Sequence, residues 1–275
     1  MRLVDSHAHL NADRFDGDVD SVLEAARAAG IERMLVPGWN VRSSERAIEL
    51  GEAHPWLDVA VGIHPHDAAK VDEAGWGRIV ELARHPSVVA IGETGLDFDR
   101  NFSPPDDQLR NLRRNLALAI ETAKPAILHC RSAAGRSDAQ DALRKEISDL
   151  GFGGAITAAA FGAGPPAVLH SFSGSVEHAA AMLDLGCAVS FSGLVFRRGE
   201  EASAEVARIV PAERLLVETD APFLSPPGGP RGRNEPAWVR ITAAWAAEQR
   251  GDDPEALGDG LIRAYERLFG SRRRS

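Results

Sequence analysis

Nine histidines are spread over the 275 residues, and six of them stand at or just beyond the ends of short apolar runs. The first two, His7 and His9, follow Leu3-Val4-Asp5-Ser6 with one residue between them. Side chains two apart on an extended strand share a face. Both imidazoles can therefore reach one cation, and neutral imidazole is a common metal ligand. Asp5 has the same parity and sits one layer deeper. The pattern then recurs along the chain. Gly62-Ile63-His64-Pro65-His66 ends one run, Ile91-Gly92-Glu93 another, and Leu128-His129, Leu169-His170 and Glu218-Thr219-Asp220 end three more. Burying so many ionisable groups together without a cation would be costly.

Four histidines, one glutamate and one aspartate suit two divalent cations. His7, His9 and Asp220 are expected to hold one, His129 and His170 the other, and Glu93, from the strand between, to bridge them. Two cations ~3.5–4 Å apart can share a hydroxide and clamp the attacking and leaving oxygens of a displacement. Many binuclear barrel hydrolases bridge their cations with a carbamylated lysine. Here the three lysines, Lys70, Lys124 and Lys145, end no run, so a carboxylate must serve. Mixed imidazole and carboxylate ligands admit Zn, Mg, Mn or Co.

These ends must be brought to one place. Eight short, nearly continuous apolar runs are present: Leu3–Ser6, Arg33–Pro37, Asp58–Ile63, Val88–Glu93, Ala126–His129, Ala167–His170, Ala188–Phe191 and Leu215–Thr219. Such runs suit parallel strands buried on both faces. Amphipathic helical patterns separate them, over Val19–Ala29, Ser44–Ala53, Trp76–Arg84, Asp107–Ala123, Ser137–Leu150, Val176–Leu185 and Glu200–Val210, with two more near Ala237–Gln249 and Pro254–Phe269. The expected fold is α/β, a single-domain (β/α)8 TIM barrel over residues 1–275 with an additional C-terminal helix. An open doubly wound sheet is the alternative, but no GxGxxG follows the first run. Barrel active sites lie at the C-terminal strand ends. The Gly- and Ala-rich segment Gly151–Pro166 enters the sixth strand, so it belongs on the opposite face, with room for a short helix over Ala155–Phe161. The terminal Ser-Arg-Arg-Arg-Ser is expected to fray.

Hydrophobic content of 44% and charged content of 26% are those of a soluble globular chain. No stretch reaches 18 apolar residues, so no membrane span is expected. Asp5, His7 and His9 interrupt any signal-peptide core, which points to the cytoplasm. Cys130 and Cys187 lie in apolar runs and read as buried, reduced thiols. A net charge of −9 argues against a generally basic, nucleic-acid-binding surface, but it describes the whole surface and not one cleft. The cations are 28 arginines against three lysines. Arg100, Arg131, Arg197, Arg198, Arg231 and Arg233 fall in loops at the catalytic end, where guanidinium suits bidentate phosphate recognition. Composition leaves the oligomeric state open, and a monomer is compatible with it.

The motifs together resemble the TatD family of metal-dependent hydrolases, a branch of the amidohydrolase-like barrels. The matching pieces are Asp-Ser-His-Ala-His-Leu (5–10), Gly-Ile-His-Pro-His (62–66), Ile-Gly-Glu-Thr-Gly-Leu-Asp-Phe (91–98), Leu-His-Cys-Arg (128–131), His-Ser-Phe-Ser-Gly (170–174), Glu-Thr-Asp-Ala-Pro-Phe-Leu (218–224) and Arg-Gly-Arg-Asn-Glu-Pro (231–236). The resemblance implies metal-dependent phosphodiester hydrolysis, with DNA the usual substrate. Some members are credited with removing D-amino acids from tRNA. It implies metal ligation by His7, His9, Glu93, His129, His170 and Asp220. The departure is the Gly151–Pro166 segment, which lengthens the gap from His129 to His170.

On this reading Asp220 and Glu93 are the catalytic carboxylates, Asp220 orienting the nucleophile and taking its proton. His64, His66, Arg131, Arg231, Arg233 and Asn234 are the candidate substrate contacts. Asp5 and Glu218 are expected to orient ligands from behind. Trp39 and Phe98 could stack on a base, whereas Phe172 and Phe223 are expected to pack beside the site. His54, His85 and His178 are assigned no role. A metal-dependent ester or amide hydrolase, such as a D-aminoacyl-tRNA deacylase, is the alternative enzyme. A non-enzymatic scaffold is disfavoured because no ligand is missing.

Overall fold

The computed structural model describes residues 1–270, and the expected frayed tail lies outside them. Eight strands form one parallel sheet in sequence order: β1 (Leu3–Asp5), β2 (Ile31–Pro37), β3 (Leu57–Val61), β4 (Val88–Asp97), β5 (Ala126–Arg131), β6 (Ala167–Leu169), β7 (Ala188–Phe191) and β8 (Leu215–Val217). Helices return the chain to the start of each next strand: α1 (Val19–Ala28), α2 (Val41–Ala53), α3 (Glu73–Leu82), α4 (Pro105–Thr122), α5 (Asp138–Asp149), α6 (Ala155–Phe161), α7 (Val176–Asp184) and α8 (Ser203–Ile209). Then α9 (Val239–Arg250) and α10 (Pro254–Phe269) follow β8. This is the TIM-barrel-like fold expected, with α6 where the Ala-rich segment allowed it.

The ring is nearly closed. Ser6 donates its N–H to the Val217 carbonyl at 3.1 Å. Beyond the strand ends Asp220 N–H reaches His7 O at 2.9 Å, His9 N–H reaches Ala221 O at 2.7 Å, and Ala8 bridges Ala221 in parallel. The seam between first and last strands is therefore sewn by the segments that carry His7, His9 and Asp220.

Two strands outrun their expected ends. β4 continues past Glu93 to Asp97, and β5 continues to Arg131. Gly-Glu-Thr-Gly looks like a turn, yet here it keeps the ladder. Gly95 has φ +139°, and a Cβ there would lie 1.9 Å from the His129 carbonyl. Only glycine permits that backbone approach. The register slips between Ile91 and Thr94. α2 starts three residues earlier than its apolar pattern suggests, because Asn40 and Ser43 form a reciprocal capping box.

At the N-terminal strand ends one buried carboxylate, Asp58, is closed in by donors. Arg33 Nε and Tyr265 Oη each donate to its Oδ2 at 2.9 Å. Arg33 also lies over the Tyr265 ring and donates Nη1–H to Gly270 O at 2.7 Å, which ties α10 to β2. Arg267 of α10 donates to Ala163 O, so the Gly151–Pro166 segment is fixed at this end, away from the histidines. Cys187 is buried and Cys130 only partly so, and both thiols are free. No helix among the described residues is long and apolar enough to cross a membrane.

Candidate metal centre

The C-terminal strand ends bring the expected residues together around Glu93. Its Oε2 lies 3.4 Å from His7 Nε2 and 3.5 Å from His9 Nε2. Its Oε1 lies 2.8 Å from His170 Nε2, 3.2 Å from His129 Nδ1 and 3.2 Å from His64 Nε2. Asp220 Oδ1 stands 3.4 Å from His9 Nε2 and 3.8 Å from His7 Nε2. The donor atoms form three overlapping sets, each within 4.8 Å: His7, His170 and Asp220; His7, His9 and Glu93; His64, Glu93 and His129. His64, expected to touch substrate, thus stands among the metal-capable donors.

One feature fits divalent cations. Imidazole nitrogens face one another, His7 Nε2 to His9 Nε2 at 3.1 Å and His129 Nδ1 to His170 Nε2 at 3.4 Å. On the far side of the His7 and His9 rings, Nδ1 is buried without a hydrogen-bond partner. Imidazole nitrogens converging among carboxylates are the donor set of imidazole–carboxylate metal sites.

Burial opposes charge on every one of these groups. At His170 that penalty is overcome by Glu93 and Glu218, which hold the imidazole well above its usual range. At Glu93 it is overcome by His170 and His64, which hold the carboxyl well below its own. Asp220 is lowered against burial by its bond to His9. His64 goes the other way, with burial pushing it down to about 4, so it is neutral, and its Nδ1 accepts the His66 N–H at 3.1 Å.

A second layer fixes the cluster. Glu218 Oε1 lies 3.2 Å from His170 Nδ1. Asp5 touches no imidazole ring. It accepts from Thr219 Oγ1 at 2.6 Å, Thr219 N at 3.0 Å and His7 N at 3.2 Å, so it pins the two backbones that carry His7 and Asp220. Burial pushes its carboxyl up to about 8 against those bonds. Asp220 and Ser171, beside His170, both adopt positive φ, +53° and +45°. Such backbone is uncommon outside glycine and clusters at functional sites.

Asp97, not among the candidate residues above, also belongs here. Its Oδ2 lies 2.7 Å from His66 Nε2 and 3.4 Å from His129 Nε2. It follows Glu93 by four residues on one strand, and even spacing on a strand was the available signal. Gln108 grips the backbone of Asp97 from α4, accepting from its N–H at 2.8 Å and donating to its carbonyl at 3.1 Å.

Residues 4–270 match the TatD related DNase family. The chain belongs to the TatD family of metal-dependent hydrolases. It is 39% identical over 277 residues to the 3'-5' ssDNA/RNA exonuclease TatD of Klebsiella pneumoniae, covering 98% of each chain. It is 36% identical to the uncharacterized metal-dependent hydrolase YabD of Bacillus subtilis, over 97% of this chain and 98% of YabD. Among solved structures, the TatD homolog YJJV of Escherichia coli superposes with a TM-score of 0.86 at 26% identity, covering 98% of this chain and 99% of YJJV.

Around this TatD-family cluster the rim divides. Arg131 is paired with Asp99 at 2.6 Å, and Arg233 with Asp18 and Glu235 at 2.7 and 2.9 Å, over the Phe15 ring. Asn234 is fully buried, donating to Thr219 O at 3.0 Å and accepting from Glu235 N at 2.9 Å. These three expected substrate contacts are engaged within the fold, and Asn234 instead braces the turn that presents Asp220. Arg100, Arg197, Arg198 and Arg231 are exposed and have no carboxylate partner among the described residues. His66, partly exposed, is held by Asp97 at the edge of the cluster. Trp39 and Phe98 are half-buried, whereas Phe223, expected to pack, is 53% exposed with its ring 6.1 Å from that of His9.

Proposed function

We propose that this chain is a divalent-metal-dependent nuclease that hydrolyses phosphodiester bonds in DNA as an exonuclease. The observation that carries the reading is Glu93, which turns one oxygen to His7 and His9 and the other to His64, His129 and His170. That is the arrangement expected of a carboxylate bridging two cations. His7, His9 and Asp220 would hold one, and His129 and His170, with His64 beside them, the other. Bound cations supply Lewis acidity that activates water and offsets charge on the phosphoryl oxygens.

The chain's own groups do the remaining work. Asp220, kept ionised by His9, accepts a hydrogen bond from the attacking water and takes its proton. Glu218 and Asp97 stop His170 and His129 from turning. Asp5 and Asn234 keep Asp220 in register with His7. His66 and the unpaired Arg100 and Arg231 supply hydrogen bonds and positive charge where a phosphate backbone enters. That local charge answers the overall negative balance.

The test uses metal-stripped protein given Mg2+, Mn2+, Co2+ or Zn2+ and offered end-labelled single-stranded DNA, RNA and D-aminoacyl-tRNA. Cation-dependent release of nucleotides is expected, and EDTA should abolish it. Wild-type rates in both Asp220→Asn and Glu93→Ala would sink the proposal, and release of amino acid without nucleotide would replace it with the deacylase reading.

A further inference from the structure

Four large apolar side chains are exposed among the described residues: Phe102, Ile156, Ile209 and Phe223. The two aromatic ones both stand at the cluster, on opposite sides of it. Phe102, 62% exposed, follows β4 and meets the His66 ring edge-on with centroids 4.7 Å apart. His66 in turn meets His64 at 4.3 Å and His129 beyond it. Phe223, 53% exposed, follows β8 and meets the His9 ring. The row therefore runs from Phe102 through His66 and His64 to Glu93, then through His9 to Phe223. Neither phenylalanine is needed as core, since each leaves more than half its surface in water. Each also travels with a guanidinium that lacks a carboxylate partner. Arg100 lies two residues before Phe102. Arg231 shares the loop of Phe223, which Asn234 ties back through its N–H to Pro222 O at 3.0 Å.

We propose that Phe102 and Phe223 are two stacking platforms that bracket the scissile phosphodiester, each taking one unpaired base of a single-stranded nucleic acid. This rests on the nuclease reading above and adds a choice of strand to it. An aromatic face accepts any base, so stacking is tolerant of sequence. A base inside a duplex already has both faces covered and cannot lie on either platform. The paired requirement selects a strand whose two neighbouring bases are both free. Arg100 and Arg231 follow the phosphates on either side.

The experiment compares metal-loaded wild type on an intact single-stranded decamer and on decamers with an abasic residue at the terminal or the penultimate nucleotide. Removal of either base is expected to raise KM about tenfold, with kcat changed much less, because stacking is a binding term. Phe102→Ala and Phe223→Ala should raise KM similarly on the intact strand. Each variant should then be indifferent to one of the two abasic substitutions, and Phe→Trp at either position should restore KM. A merely structural role would leave the abasic sensitivity in place. Equal KM for wild type on intact and abasic strands overturns the platforms while leaving the nuclease reading standing. No cleavage of the intact strand by metal-loaded wild type removes the nuclease reading and the platforms with it. The wild-type arm decides even if a variant does not fold.

Discussion

The two ends of the barrel bury charge in opposite ways. At the N-terminal strand ends, Asp58 meets a guanidinium and a phenol, so the buried carboxylate has its donors within the fold. At the C-terminal ends, five imidazoles crowd one glutamate, their nitrogens converge on one another, and Nδ1 of His7 and of His9 has no partner. The first arrangement is complete without help and serves to tie α10 to β2. The second gathers the donors of a candidate metal centre. The lesson is that burial of charge alone does not mark a site, whereas several buried imidazoles and carboxylates converging on one point do.

The largest expected effect lies at the unsatisfied end. Glu93→Ala should lower kcat/KM on single-stranded DNA by about a thousandfold, roughly 4 kcal/mol of transition-state stabilisation. It should also cut bound Mn2+ per chain, read by metal analysis after reconstitution. Retention of two cations in that variant would break the contrast. At the satisfied end, Asp58→Ala leaves Arg33 buried without its carboxylate and should cost about 3–5 kcal/mol in stability. Denaturant unfolding would measure it, with kcat well below the melting temperature unchanged. A fall in activity at such temperatures would mean the two ends are not independent.

Cation binding should then stabilise one end only. At a hundred times its dissociation constant a ligand adds about 2.7 kcal/mol. That raises the melting temperature of a domain this size by about 5 °C or more. Asp58→Ala should keep that increment, and Glu93→Ala should lose most of it, as differential scanning calorimetry would report.

The smallest effect uses a histidine outside the cluster. His178 lies on α7 against Phe172, and burial pushes it down to about 4. The unfolded chain takes up that proton near pH 6.5. The native state therefore binds fewer protons between these values, and its stability is present above pH 6.5 and lost as pH falls toward 4. His178→Gln should flatten that limb by on the order of 1 kcal/mol. Parallel melting curves for wild type and variant from pH 7 to 4.5 would refute it.

Much of this was legible in the residues. All eight runs became strands, because continuous Val, Ile, Leu and Ala suit a sheet covered on both faces. His7, His9, Glu93, His129, His170 and Asp220 were found by asking what ends each run, and the barrel brings every such end to one face. The reach of β4 to Asp97 was not legible, since Gly92 and Gly95 read as a turn until the His129 carbonyl is seen against Gly95. The engagement of Arg131 and Arg233 was hidden for another reason. Their partners Asp99 and Asp18 are ordinary surface carboxylates whose proximity only the fold creates. Asn234 looked like a substrate contact because it sits in a motif beside two arginines, and its burial behind Thr219 is a tertiary fact.

The seam between β1 and β8 carries a further consequence. Asp5 holds Thr219, and His7 and His9 bond directly to Asp220 and Ala221, across more than 200 residues of intervening chain. Contacts so distant in sequence are among the slowest to form, because the loop entropy must be overcome before they contribute. Ring closure and the placing of His7, His9 and Asp220 thus rest on the same contacts. Any substitution that opens this seam should loosen the ring and scatter His7, His9 and Asp220 together.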